Sequence, residues 1–165
     1  MNDKLLSICI PTYNRSDKLN LSLSVILTQV KIHQDKIEVI VSNNASTDDT
    51  ANVLSKLKDE YPFLKIYSNP INLGANLNFF KLSDEYATGK YFWLIGDDDV
   101  VDTNAIDIII SVLENNKSLS FLGLNFRILP LEEIVNLKKR QVFNHSQVIK
   151  MSSLINKQCR SENLL

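Results

Sequence analysis

Gly96-Asp97-Asp98-Asp99 sets three carboxylates in a row at the end of an apolar run, Tyr91-Phe92-Trp93-Leu94-Ile95. Adjacent anions repel one another, so core folding alone gives little reason to place them there. A hard divalent cation such as Mg²⁺ or Mn²⁺ supplies one, because it takes one or two carboxylates together with phosphate oxygens of a substrate. The plainer alternative is an acidic turn in which one Asp opens the next helix. Two more loops carry groups suited to a ligand. Pro11-Thr12-Tyr13-Asn14-Arg15 offers a ring that could stack on a flat base, and Asn43, in the run Ser42 to Asp49, offers an amide for the base's edge. Asp97 suits ribose hydroxyls, and Asp98 suits a cation that neutralises a pyrophosphate. The alternative for Tyr13 is packing, and for Trp93 the core.

These loops are positioned by an alternation of strands and helices. Leu5 to Ile10 reads as a strand ended by Pro11, and Ser16 or Asp17 can cap the helix that runs from Leu19 to Val30. Ile37 to Val41 is a second strand, and Thr47 or Asp48 can cap a helix carrying Ala51, Val53, Leu54 and Leu57. Leu64 to Tyr67 is a third, shorter strand. A helix follows the Asn72-Leu73-Gly74 turn, running through Leu77, Phe79, Phe80, Leu82 and Tyr86 and ending at Gly89. The apolar run before Gly96 is the fourth strand. A helix over Ala105 to Leu113, capped by Thr103 or Asn104, and a strand over Leu119 to Leu124 come next. Beyond Pro130 the pattern weakens. Leu131 to Lys139 could be a helix carrying the basic run Lys138-Lys139-Arg140, and Phe143 to Leu165 shows no clear element.

Near-continuous apolar strands between helices predict an α/β fold, a mostly parallel sheet covered on both faces. Ligands of such sheets bind beyond the carboxyl ends of the strands. Pro11 to Arg15, Asn43 to Asp48 and Gly96 to Asp99 should therefore meet at one rim.

Composition narrows the classes. The 165 residues suit one domain, and 18 basic against 19 acidic residues leave a net charge of −1, so there is no polybasic footprint for nucleic acid. Cys9 lies in an apolar run and is expected in the core, far in sequence from Cys159; this usage suits a reducing compartment. No apolar run approaches the roughly 18 residues of a membrane span, and the N-terminal apolar run is too short for a signal peptide. A cytoplasmic protein is expected, with peripheral membrane contact left open. His33 and His145 lack partners at ligand spacing. Neither a Gly-x-x-x-x-Gly-Lys-Ser/Thr loop nor Gly-x-Gly-x-x-Gly is present. With four glycines in all, backbone cradling of phosphate is a poor strategy here, and metal mediation is the common remaining one.

Taken together, Ile8 to Arg15, Ile40 to Asp48, Asn72-Leu73-Gly74 and Gly96 to Asp99 resemble, in order and spacing, the inverting nucleotide-sugar glycosyltransferases of family 2. The chain looks closest to bacterial enzymes of surface polysaccharide and O-antigen synthesis, where Asp-Asn-Ala-Ser-Thr-Asp and Gly-Asp-Asp-Asp are common forms; here Asn43 stands at the first position of the former. The resemblance implies a GT-A fold and a donor-binding unit over 1–130, with 131–165 an incomplete acceptor-side segment or tail. It implies that Pro11, Thr12 and Tyr13 frame the nucleobase with Arg15 nearby, and that Asn43 meets its edge where the family usually has Asp. Asp48 and the loop from Gly74 to Asn78 would line the donor pocket, Asp97 would contact ribose, and Asp98 would hold Mg²⁺ or Mn²⁺, with Asp99 either assisting it or capping the following turn. The expected partners are a nucleotide-sugar donor and a saccharide or lipid-linked acceptor at the inner face of the cell membrane. Inversion needs a base to take the acceptor's proton. Glu132, Glu133 and Glu162 are the acidic residues after Glu114, and none sits in a base motif. A truncated or inactive donor-binding module is the alternative. A nucleotidyltransferase would need a Gly-rich basic loop after the first strand, which Pro11 to Arg15 is not.

Overall fold

A computed structural model describes residues 4–124 in full and the backbone of 153–156. In chain order the elements are β1 Leu6–Thr12, α1 Ser16–Val30, β2 Ile37–Asn43, α2 Thr50–Glu60, β3 Lys65–Ser68, α3 Ala75–Lys81, β4 Tyr91–Leu94, α4 Ala105–Asn115, β5 Phe121–Gly123 and β6 Ser153–Asn156. They build one sheet in the order β3-β2-β1-β4-β6-β5. β1 runs parallel to both β2 and β4, and β2 parallel to β3. β6 is antiparallel to β4 on one side and to β5 on the other.

The strands read as continuous apolar runs because both faces are covered. Leu6, Ile8 and Ile10 of β1, Ile37, Val39 and Val41 of β2, and Tyr91 and Trp93 of β4 share one core with α1, α2 and α4. The alternate residues Cys9, Ile40 and Phe92 enter a smaller core on the other face with Leu82, Ala87, Phe79 and Tyr86. That is the period-two division of a pleated strand. Cys9 and Trp93 are buried as expected.

Several boundaries differ from the sequence reading, each for a physical reason. β1 continues through Pro11 to Thr12, paired with Ser42 and Asn43 of β2; Pro11, which has no N–H, lies beyond the last β1–β4 pair, Cys9–Leu94. Helix α3 passes at Leu82 into a wider π turn, Leu82–Tyr86, closed by the Ala87 N–H on the Leu82 carbonyl. This turn brings Tyr86 flat against Tyr67 of β3, ring centroids 3.8 Å apart. Phe79 and Leu82 face inward, whereas Leu77 and Phe80 stand in solvent. Strand β6 lies in a segment whose sequence shows no element; its four residues owe their strand form to pairing with β4 and β5. The boundary at 130, the helix over 131–139, Lys138, Lys139, Arg140, His145, Cys159, Glu132, Glu133 and Glu162 lie outside the described residues. His33 does have a partner: its Nε2 is 2.5 Å from Asp107 on α4.

At the amino-terminal edge of the sheet, Glu38 is buried to 2% exposure. Its Oε1 accepts hydrogen bonds from the Ser7 hydroxyl at 2.5 Å, the Thr88 N–H at 2.6 Å and the Thr88 hydroxyl at 2.9 Å. Lys65 Nζ reaches Oε2 at 2.6 Å. Gly89 passes so close to β1 that a Cβ there would stand 2.8 Å from the Ser7 nitrogen.

Candidate functional site at the carboxyl rim of the sheet

The order β2-β1-β4 leaves the crevice of an open α/β sheet where the chain leaves β1 one way and β4 the other. The loops after β1, β2 and β4 do meet at this rim. Thr12 Oγ1 donates to Asp97 Oδ2 at 2.8 Å, and Arg15 Nη1 donates to Asp97 Oδ1 at 3.3 Å and to Asp98 Oδ2 at 2.8 Å. The loops after β1 and β2 are clasped by side chains. The Asn14 N–H donates to Ser46 Oγ at 3.0 Å, and Asn14 Oδ1 accepts from the Thr47 N–H at 2.7 Å. Asn14 and Ala45 both take positive φ, 52° and 60°, a left-handed conformation that Asn tolerates far better than Ala.

The three adjacent aspartates have three different surroundings. Asp97 is buried at 6% exposure. Burial pushes its carboxyl above the usual carboxylate range, against the Thr12 hydrogen bond and the Arg15 charge, with Asp98 adding to the rise. Asp98 is 41% exposed at its side chain and collects two cationic groups on Oδ2, Arg15 at 2.8 Å and Lys18 Nζ at 3.5 Å. Asp99 turns back: Oδ2 accepts the Gly96 N–H at 3.0 Å, and its carbonyl accepts the Ser22 hydroxyl. Asp99 thus closes the turn, one of the two roles its sequence position left open. A Cβ on Gly96 would fall 2.9 Å from Asp99 Oδ2, so the turn as built favours glycine.

The remaining residues singled out in the sequence divide between surface and support. Tyr13 is 42% exposed at the rim. Asn43 is buried, and its Oδ1 accepts the Ser46 N–H at 3.0 Å. Asp48 ties two helix starts together: Oδ2 accepts the Ser16 N–H of α1 at 3.0 Å, and Oδ1 accepts the Thr50 N–H of α2 at 3.1 Å. Burial works against its charge, but the bonds from Thr50 and Ser16 outweigh it and hold its pKa below the ordinary value. The residues at the helix caps are accordingly Arg15 and Asp49, with Asp48 serving both ends from one position outside. Gly74 takes φ +80°. Asn78 is buried beneath the Gly74 loop, its Oδ1 accepting from Ser42 Oγ at 2.6 Å and Asn69 Nδ2 at 2.9 Å.

Two groups of residues escaped the sequence reading. The first is that amide network: Asn69 also donates to Asn44 Oδ1 at 3.0 Å, Asn44 Nδ2 donates to Asn72 Oδ1 at 2.7 Å, and the Leu73 N–H donates to Asn44 at 2.9 Å. It pins the Asn72–Gly74 turn to the end of β2. The second is a polar stripe along α1. Lys18 holds Asp98, Ser22 holds the Asp99 carbonyl, and Gln29 Nε2 and Oε1 take the Asp102 carbonyl and the Ile106 N–H at 2.8 and 3.3 Å. The signal was available: Lys18, Ser22 and Gln29 follow Arg15 at steps of three, four and seven in a largely apolar helix, which puts them on one face.

Does a divalent cation fit? Among the described residues no three His, Cys, Asp or Glu side chains gather as a protein-only cage. The donor set at the rim is nevertheless hard oxygen, and the two cationic nitrogens on Asp98 mark where positive charge is favoured. One carboxylate completed by substrate phosphate oxygens is an ordinary way to hold Mg²⁺.

The raised pKa of Asp97 has a testable consequence. A carboxyl that is harder to ionise folded than unfolded costs stability at neutral pH, and the cost fades as pH falls through its folded pKa. Asp97→Asn removes the charge and keeps an acceptor for Thr12. It is expected to raise stability at pH 7, with a smaller gain at pH 4.5. Thermal melts at the two pH values check this; a lower Tm at pH 7 would contradict it.

The sequence matches the family model "Glycosyl transferase family 2" over residues 7–153. It is 38% identical over 116 residues to abequosyltransferase RfbV of Salmonella typhimurium, covering 70% of this chain and 34% of that protein. It is 27% identical to the Escherichia coli UDP-Glc:alpha-D-GlcNAc-diphosphoundecaprenol beta-1,3-glucosyltransferase WfgD, covering 82% and 51%. The chain therefore spans between about a third and half of these relatives. In structure it is similar to the mannosyltransferase PcManGT from Pyrobaculum calidifontis, solved with GDP-Man and Mn²⁺, at a TM-score of 0.65, 17% identity and coverage of 94% and 45%. That likeness gives the fold, the GT-A arrangement.

Proposed function

The chain belongs to glycosyl transferase family 2, and on that premise we propose that it forms the donor-binding part of a bacterial sugar transferase. The enzyme moves a sugar from a nucleoside-diphosphate donor to a saccharide or lipid-linked acceptor in surface-polysaccharide synthesis. One observation carries the reading: Thr12 at the end of β1 and Arg15 just after it tie down Asp97 and Asp98 of the loop after β4 at the crevice of the sheet. A rim built this way presents an exposed ring, a buried carboxylate and an exposed carboxylate in sequence, in keeping with base, ribose and diphosphate. Tyr13 and Pro11 frame the base, with Asn43 behind them fixing the loop through Ser46. Asp97 accepts from the ribose hydroxyls. Asp98 would hold Mg²⁺ or Mn²⁺, whose positive charge would offset the negative charge of a diphosphate leaving group. Asp48, Gly74 and Asn78 support the pocket walls.

The complex of PcManGT with GDP-Man and Mn²⁺ supports a divalent cation here. The diphosphoundecaprenol in the WfgD name supports a lipid-linked acceptor met at the inner face of the membrane. Among the described residues no helix is long and apolar enough to cross a membrane. No residue is assigned as the base.

Calorimetry with UDP, GDP, CDP and TDP, each with and without Mn²⁺, tests the proposal. One nucleotide is expected to bind, at least tenfold tighter with Mn²⁺. Absence of binding by all four with Mn²⁺ present would overturn it.

A further inference from the structure

Asp98 Oδ2 already carries two positive partners. Arg15 stands at 2.8 Å and is itself shared with Asp97 at 3.3 Å. Lys18 is different. It lies in the first turn of α1, its side chain is 59% exposed, and among the described residues it touches the rim through Asp98 alone, at the long distance of 3.5 Å. An ammonium on a flexible stem, loosely held and facing solvent, is a counter-charge that can be exchanged. Arg15, whose Nη1 bridges two carboxylates, is not placed to leave.

We propose that Lys18 is an exchangeable counter-cation of Asp98: it neutralises the carboxylate when no divalent ion is bound, gives way when one is, and then turns its ammonium to the donor's diphosphate. This rests on Asp98 being the cation ligand. The physical reasoning is charge balance. With Arg15 and Lys18 both engaged, the exposed carboxylate is satisfied, and a divalent ion must compete with Lys18 for it. Once displaced, Lys18 remains within a side-chain rotation of the same spot, where a diphosphate adds about two or three negative charges. One residue therefore acts with opposite sign on two ligands, opposing the bare ion and favouring the ion–diphosphate pair. A residue that merely supported the helix would move both affinities in one direction.

The test uses the full chain, Mn²⁺ alone followed by free-ion electron paramagnetic resonance, and then inorganic pyrophosphate at saturating Mn²⁺ by calorimetry. Lys18→Gln is expected to bind Mn²⁺ about two- to fivefold tighter and pyrophosphate about two- to fivefold weaker, the range an exposed ion pair carries. Lys18→Arg, which keeps the charge, is expected to restore both values towards wild type. Unchanged or weaker Mn²⁺ binding in Lys18→Gln, or unchanged pyrophosphate binding, overturns the exchange while leaving Asp98 as ligand, provided Asp98→Asn abolishes Mn²⁺ binding. If Asp98→Asn binds Mn²⁺ like wild type, or wild type binds none, the ligand reading itself fails and the exchange falls with it.

Discussion

Asp98→Asn is expected to lower nucleoside-diphosphate affinity in the presence of Mn²⁺ by about 100-fold, or about 2.7 kcal/mol, while leaving metal-free affinity and Tm nearly unchanged. The argument starts from exposure. The Asp98 side chain is 41% exposed and, among the described residues, bonded to Arg15 and Lys18 alone, so exchanging it for a neutral isostere removes surface ion pairs worth about 0–1 kcal/mol each. On the proposed reading its contribution to a bound cation is far larger, because a hard ion prefers anionic oxygen to an amide and contributes several kcal/mol at a phosphate oxygen. Asp99 provides the contrast. Its carboxylate closes the turn on the Gly96 N–H, a bond the amide oxygen of Asn can also accept. Asp99→Asn should therefore cost less than about threefold if Asp99 only shapes the turn. Calorimetry of both variants with and without Mn²⁺ decides. Equal losses would make Asp99 a second ligand, and Mn²⁺-dependent binding surviving in Asp98→Asn would remove the metal reading.

What the sequence shows and hides follows from the range of the interactions. β1, β2 and β4 are apolar runs because two faces are buried, and that pattern is local enough to read. So is the placement of the three loops at one rim, which follows from parallel strands. The pairwise fit of those loops is not local. Nothing near Asp48 reveals that its second oxygen serves Ser16, 32 residues earlier, although its bond to Thr50 is an ordinary short-range pattern. Asn14 gripping Ser46 and Thr47 is hidden for the same reason. Strand β6 is invisible because its four residues depend on partners at both sides. The π turn after Lys81 breaks a helical period that the sequence continues through Tyr86. By contrast, the stripe Lys18, Ser22, Gln29 was legible and was masked by the apolar character of the rest of α1.

The other large effect lies far from the carboxyl rim. Glu38→Gln is expected to destabilise the fold by about 3 kcal/mol, lowering Tm by roughly 6–12 °C. Glu38 is an anion inside the sheet, and it is there because four donors and a lysine meet it: Ser7 from β1, Thr88 and Gly89 from the approach to β4, and Lys65 from β3. It therefore links the starts of three strands to the turn that leads into a fourth. Burial alone would raise its pKa, but the bonds from Lys65, Ser7 and Thr88 outweigh that and hold it below the ordinary value. The pH dependence follows in sign. A carboxyl with a depressed folded pKa contributes its stability above the unfolded pKa of about 4.3 and loses it as pH falls through the folded value. The wild type should thus lose stability between about pH 5 and the folded pKa, and Glu38→Gln should lose less over the same window. Gln keeps one acceptor for Ser7 and Thr88 but turns an N–H₂ towards the Lys65 ammonium, a like-donor contact that a carboxylate avoids. Urea unfolding at pH 7 and pH 4 measures both effects; a variant as stable as wild type at pH 7, or one with the same pH slope, would show that the charge at Glu38 is not what joins these strands.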